Sequence, residues 1–251
     1  MKKMEKLQKL LIQVAIGADI NILFHDDEDY DDDFDIIAIK LRHGAEPNAK
    51  DDQGWHPLVD STYLGKADIV ELLLNNSADP NTRINDGSTA LHHLPQRDAL
   101  NTTISLLNHG ADVNIRDNNR NTPLISACIH NDIEIIKLLI DHGADTNSEN
   151  TDGYTALLNA CINRNDSNII KLLLDNGADP NSKDNDGRTG LIWSSALSDN
   201  IDIIKLLLDY GADPKHKDNE GYTAFDMASK KGHKNIQNLL LSSMNSKSNS
   251  K

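Results

Sequence analysis

The sequence predicts an all-α solenoid: stacked helix–turn–helix units with β-hairpin loops between them, about seven units counting the end caps. Three observations predict it, each in phase with the others. A G-A-D-x-N motif or close variant places its alanine at 18, 45, 78, 111, 144, 178 and 212, in steps of 27, 33, 33, 33, 34 and 34 residues. A D-G-x-T-A-L motif keeps the same beat at 86–91, 152–157, 186–191 and 220–225. Aliphatic runs such as IVELLL and IEIIKLLI precede the G-A-D motif.

Residues 117–149 show how one unit is built. Asp117 to Asn121 is polar and turn-prone. Thr122-Pro123 opens a helix, with Thr as N-cap and Pro where its missing N–H costs nothing. Leu124, Ala127 and Cys128 fall on one face of this short helix. A turn at Asn131 leads to a second helix, with Ile135, Ile136, Leu138, Leu139 and Ile140 on a broad apolar face. His142-Gly143 ends it, Gly supplying the left-handed residue. One such pair cannot bury both its faces, but stacked neighbours can. Thin layers filled by Leu, Ile and Ala also explain an aromatic content of only 4%.

These motifs resemble the ankyrin repeat, with its 33-residue period and T-P-L-H signature. The resemblance covers roughly residues 3–241 and is strongest from Asp51 onward. It implies five full repeats at 51–83, 84–116, 117–149, 150–183 and 184–217. Residues 1–50 read as irregular capping repeats with an acidic loop, 218–241 as a C-terminal cap and 242–251 as a disordered tail.

Departures from the pattern carry expectations of their own. The signature His survives only as His92; Val59, Ile125, Leu158, Ile192 and Asp226 stand elsewhere. Arg120 replaces the hairpin Gly, so that turn is expected to take another conformation. The 34-residue steps imply an extra loop residue near Asn165 and Asp199. Unit 84–116 is the least regular: Pro95 falls within its expected first helix, and Thr102-Thr103 replace the usual aliphatic pair. It should open before its neighbours. At the start, Lys6 to Ile16 reads as the second helix of an incomplete unit.

Charge and composition narrow the function. The net charge of −14 opposes binding to nucleic-acid phosphates. No run approaches the roughly 18 apolar residues of a membrane span. Two cysteines exclude a disulfide framework and a four-Cys zinc site. Cys128 and Cys161 hold equivalent positions and read as small core fillers. The basic start and apolar run at Leu10–Ile16 are too short and broken for a secretory leader, so the expected location is the cytoplasm, with the periplasm or secretion as the alternative.

Asp26 to Asp35 holds eight carboxylates in ten residues. Counted from Asp27, it lacks the Gly and Glu an EF-hand requires, so it reads as a solvated loop or a steering patch for a basic partner. His43, His109 and His142 each precede a helix-ending Gly and should complement the helix C-terminus. No phosphate loop, nucleophile elbow or metalloprotease motif is present. No catalytic residue, cofactor or metal site is expected.

Surface recognition remains. The resemblance implies that a partner lies on the concave face, made of hairpin tips and first helices. By phase, the expected contacts are Trp55, Asn121, Tyr154, Arg188 and Tyr222 at tips, and Tyr63, Arg97 and His130 at first-helix ends. The tip acids Asp52, Asp86, Asp152 and Asp186 join them. Trp, Tyr and Arg are preferred interface anchors; the alternative is that a tip Tyr packs on the next hairpin. Trp193, inside its first helix, reads as core. The sequence therefore points to a non-enzymatic protein-binding scaffold, monomeric when free. The foremost role is a stoichiometric inhibitor of the immunity or antitoxin kind, covering a basic toxin. A secreted effector or adaptor engaging host proteins is the rival, and an enzyme with a site on the concave face the remote one.

Overall fold

The computed structural model describes residues 33–51, 54–95, 98–163 and 166–246. Among them are twelve α-helices and no strand. The expected β-hairpins are instead tight turns. One isolated antiparallel bridge, Lys183 with Thr189, is the strand-like pairing recorded among the described residues. The chain divides into two bodies, Met1–Asn118 and Asn119–Lys251, each described by itself.

In the first body α1 spans Asp33–Arg42, α2 Pro57–Tyr63, α3 Ala67–Asn75 and α4 Ala99–Asn108. Helix α3 packs against α1, α2 and α4. In the second body α5 spans Pro123–His130, α6 Ile133–Asp141, α7 Ala156–Ile162 and α8 Ser167–Asp175. Then follow α9 Gly190–Leu197, α10 Ile201–Asp209, α11 Ala224–Lys231 and α12 Lys234–Ser246. The first helices α5, α7, α9 and α11 stack in chain order, as do the second helices α6, α8, α10 and α12. This is an all-α repeat solenoid.

Local chemistry fixes the helix ends. The hydroxyls of Thr122, Thr155, Thr189 and Thr223 accept the N–H of Ile125, Leu158, Ile192 and Asp226. Each satisfies a backbone donor that the helix leaves open. The ring Nδ1 of His43, His109 and His142 donates to the carbonyls of Ile39, Ser105 and Leu138 at 2.8, 2.9 and 2.8 Å. Leu124, Ala127, Cys128, Ile135, Ile136 and Leu139 are buried as expected, whereas Leu138 and Ile140 are half-buried.

The asparagine of the G-A-D-x-N motif staples adjacent units. In the second body, Asn147 Nδ2 donates to the Gly177 carbonyl at 2.8 Å, and its Oδ1 accepts the Asp179 N–H at 2.8 Å. Asn181 does the same to Gly211 and Asp213, at 3.2 and 2.8 Å. In the first body, Asn48 and Asn81 reach Ser77 and Asp79, and Gly110 and Asp112, respectively. The Asp two residues ahead holds Asn81, Asn147 and Asn181 in place: Asp79, Asp145 and Asp179 Oδ1 accept their N–H groups at 2.9, 2.9 and 2.8 Å. Each of these four asparagines is a two-point backbone link to the neighbouring unit, which gives the motif a reason to recur.

Several expectations are corrected. Arg120 does not change its turn. It takes φ +62°, the left-handed conformation that Gly153 and Gly187 adopt at +81° and +77°. That conformation costs a side-chain-bearing residue about 1–2 kcal/mol. The residue facing this position differs between units. Asn185 and Asn219 face Gly153 and Gly187; at the equivalent place facing Arg120 stands Thr151, whose N–H donates to the Asn119 carbonyl at 2.9 Å. Arg120→Gly should stabilise the second body by about 1 kcal/mol, read from urea denaturation midpoints.

In unit 84–116 the first helix is a single 3₁₀ turn, Ala90–His92, so Pro95 lies beyond it rather than within a helix. Thr102 and Thr103 occupy the fully buried positions of Ile69 and Val70 one repeat earlier. The Thr103 hydroxyl donates back to the Ala99 carbonyl at 2.7 Å, whereas the Thr102 hydroxyl is buried without a partner. Thr102→Val should therefore stabilise the first body by about 1 kcal/mol, and raise amide protection across α4. An unchanged exchange rate would show that this hydroxyl is hydrated.

Helix α12 continues past Leu241 to Ser246, into the segment expected to be a disordered tail. Asp33 to Asp35 open α1 instead of closing the acidic loop. Residues 26–32, the expected helix Lys6–Ile16, Asn165 and residues 247–251 lie outside the described residues. The loop at Ser198–Asn200 is one residue longer than that at Asn131–Asp132, as the 34-residue step requires.

Candidate interaction surface

Four tips are each built on an Asp or Asn four residues ahead of the anchor position. Asp51 Oδ1 accepts the Trp55 N–H at 2.7 Å. Asn150 Oδ1 accepts those of Asp152 and Tyr154, at 3.0 and 2.9 Å. Asp184 Oδ1 accepts those of Asp186 and Arg188, at 3.0 and 2.9 Å. Asp218 Oδ1 accepts those of Glu220 and Tyr222, at 3.1 and 2.8 Å. Unit 84–116 has Ile84 at this place, and Asp86 takes over, accepting the N–H and hydroxyl of Ser88 at 2.9 and 2.5 Å.

In the first body these turns gather an aromatic cluster. The ring of Trp55 lies 6.0 Å from Tyr63 and 5.7 Å from His93, and Tyr63 lies 6.4 Å from His93. Edge-to-face and tilted packing suits the ring quadrupoles. Tyr63, at the end of α2, is nevertheless 60% exposed. The Ser88 hydroxyl is 2.6 Å from His93 Nε2. With its proton directed to Asp86, Ser88 accepts from the ring N–H. Burial pushes the Asp86 carboxyl up, but its two bonds from Ser88 outweigh this and hold it below the ordinary range. Sequence reasoning left His93 without a role, since its partners are a serine five residues back and two rings from the preceding unit.

His93 and His56 both sit below the ordinary histidine value, burial being the first cause. His56 stands at the N-cap of α2 without capping it; its Nδ1 donates to the Asn48 carbonyl at 3.0 Å. The unfolded chain takes up a proton near pH 6.5 that the folded state resists. Stability from these two groups is therefore complete above about pH 6.5 and falls as pH drops toward their folded values. Urea midpoints between pH 7.5 and 5 should decline, and the paired exchange His56→Thr with His93→Gln should flatten that decline.

In the second body the tips are tied to one another. Arg188 is ion-paired with Asp186 at 3.3 Å, Asp218 at 3.6 Å and Glu220 at 3.0 Å. Its guanidinium lies 5.1 Å from the Trp193 ring centroid. Trp193 is half-buried rather than core, and its indole N–H donates to Asp184 Oδ2 at 2.8 Å. Tyr154 is half-buried; burial first, then Asp184, Asp152 and Asp186, push its phenol up. Tyr222 is 37% exposed, with the Lys230 ammonium 5.2 Å from its ring. Asn121 Oδ1 accepts from Asn150 Nδ2 at 2.9 Å, and His130 is exposed at the end of α5. Asp86, Asp152 and Asp186 each offer a backbone carbonyl to the asparagine N–H of the next tip: Asn118, Asn185 and Asn219, at 2.8, 3.0 and 2.9 Å. Asp52 and Arg97 lie outside the described residues.

Among the described residues no group of three or more metal-ligating side chains occurs, and no helix is long and apolar enough to cross a membrane. Neither cysteine is in a disulfide and both are buried; burial raises the Cys128 thiol strongly and pushes Cys161 up to about 12, which removes thiolate reactivity near neutral pH.

Stacked helix pairs with side chains presented on turn tips define a helical-repeat binding scaffold. Three overlapping segments, residues 29–117, 95–184 and 157–251, match the family model of ankyrin repeats (3 copies), and the chain belongs to the ankyrin repeat family. Its repeats mark it as a protein–protein interaction scaffold. Among curated proteins no relative matches the chain.

Proposed function

We propose that the chain is a non-enzymatic, stoichiometric inhibitor, monomeric when free, that covers a basic partner protein with its tips and first helices. The observation that carries this reading is the Trp55–Tyr63–His93 cluster, half open to solvent in a chain with few aromatics and a net charge of −14. Exposed rings beside carboxylates supply both anchoring area and electrostatic steering toward a cationic surface. Tagged chain should capture a basic protein from its source cells and silence that protein's activity at one-to-one stoichiometry, measured by calorimetry beside an activity assay. Of Trp55→Ala, Tyr154→Ala and Tyr222→Ala, at least one should weaken the complex by about 2 kcal/mol or more. Three folded variants that bind like wild type, or a partner that stays active when saturated, would reject this reading.

A further inference from the structure

The two bodies present the same tip positions with different occupants. In the second, Arg188 and Trp193 stand five residues apart, and the guanidinium lies on the ring, ringed by Asp186 and Asp218. One hundred residues earlier, the same repeat positions carry Ser88 and His93. The carboxylates keep their places: Asp86 corresponds to Asp186, and Asp117 to Asp218 by repeat phase. Both act electrostatically on His93. The aromatic surface is larger here, because Trp55 and Tyr63 join the His93 ring within 6.4 Å. The first body thus has the rings and the acids of the Arg188 site, with a short serine where the arginine stands.

We propose that the Trp55–Tyr63–His93 cluster receives an arginine side chain of the partner protein, its guanidinium lying on the rings and facing Asp86 and Asp117 as Arg188 faces Asp186 and Asp218 in the second body. A guanidinium is the fitting cation: planar, weakly hydrated and able to stack on rings while bonding carboxylates. The Ser88 hydroxyl, already bonded to Asp86 and His93, keeps the floor of the site polar. This inference rests on the protein-binding reading and names the residue that the surface would recognise.

The probe is N-acetyl-arginine amide, with neutral N-acetyl-norleucine amide as the control of similar length. Binding is followed by NMR through the indole N–H of Trp55, distinguished from that of Trp193 by a Trp193→Phe variant. The arginine probe should shift the Trp55 signal saturably, with a Kd on the order of 10 mM, as one cation–π contact and screened charge pairs allow. The norleucine probe should bind at least fivefold more weakly. Tyr63→Leu, at an exposed position, should weaken arginine binding at least fivefold, and Asp86→Asn at least twofold. Equal responses to the two probes, or no saturation with arginine, overturn the proposal. So does tighter arginine binding in Arg97→Gln, which would make the chain's own arginine the occupant. A captured partner that binds Tyr63→Leu and wild type equally would remove this site while leaving the scaffold reading intact. Failure to capture any partner, with the probe bound as described, would do the reverse.

Discussion

Arg188→Met should destabilise the second body by about 3 kcal/mol, and the loss should trace to Asp218 rather than to the exposed acids around it. The Asp218 side chain is fully buried. Its Oδ1 serves the N–H groups of Glu220 and Tyr222, but Oδ2 has no hydrogen-bond partner. The compensating charge nearest to it is Arg188 Nε at 3.6 Å, itself buried and without a hydrogen bond. The attraction is therefore a close charge pair without a shared proton. Removing the cation strands a carboxylate in low dielectric, which costs about 3–5 kcal/mol in comparable cases. The pairs with Asp186 and Glu220 add little, because those side chains are 68% and 64% exposed. Asp218→Asn removes the charge but keeps the turn oxygen, so the double variant with Arg188→Met should recover most of the loss. Urea denaturation of the four proteins closes the cycle. A loss under about 1 kcal/mol for Arg188→Met, or no coupling to Asp218, would show that Arg188 is held there for contact with a partner instead.

That result bears on which tip residues remain open to a partner. Repeat phase places Trp55, Tyr154, Arg188 and Tyr222 at equivalent positions. The side chains around them differ. Arg188 is held by three carboxylates and a ring, and Tyr222 lies beside Lys230. Tyr63 stays exposed.

Periodicity made the units, their threonine caps and the helix-ending histidines legible, because each of those interactions closes within about four residues. The asparagine staples were not, although the motif containing them was the strongest signal in the chain. Asn147 meets Gly177 and Asp179, about thirty residues away, and sequence spacing says nothing of that contact. Trp193 was misread for a related reason. A tryptophan inside a helix looks like core until Asp184, nine residues back, is seen to take its N–H while the ring stays half-exposed beside Arg188. Arg120 shows the opposite limit. The missing Gly was visible, but a non-glycine residue can hold the same left-handed turn, as Arg120 does at φ +62°.

The second large effect separates two glycines with nearly the same backbone. Gly153 has φ +81° and Gly177 φ +84°, so an added methyl group meets similar backbone strain at both, about 1–2 kcal/mol. Their surroundings differ. A Cβ at Gly177 would meet nothing within 4 Å. A Cβ at Gly153 would lie 2.9 Å from the Asn185 backbone nitrogen and 3.0 Å from both Asn185 Oδ1 and the Asp184 carbonyl carbon. Backbone cannot swing aside as a flexible side chain would, so the next tip must move. That movement strains the Asn185 N–H bond to the Asp152 carbonyl at 3.0 Å and its Nδ2 bond to Thr151 at 3.0 Å. Each lost bond adds about 1 kcal/mol. Gly153→Ala should therefore cost about 3–4 kcal/mol against about 1–2 for Gly177→Ala. The damage should also spread, because neighbouring repeats stabilise one another across their shared interfaces. Hydrogen exchange should show lost protection in both 150–183 and 184–217 for Gly153→Ala, and only near the end of α8 for Gly177→Ala. Equal costs for the two variants would mean that the tip-to-tip contact bends freely, and that the glycine is kept for its backbone conformation alone.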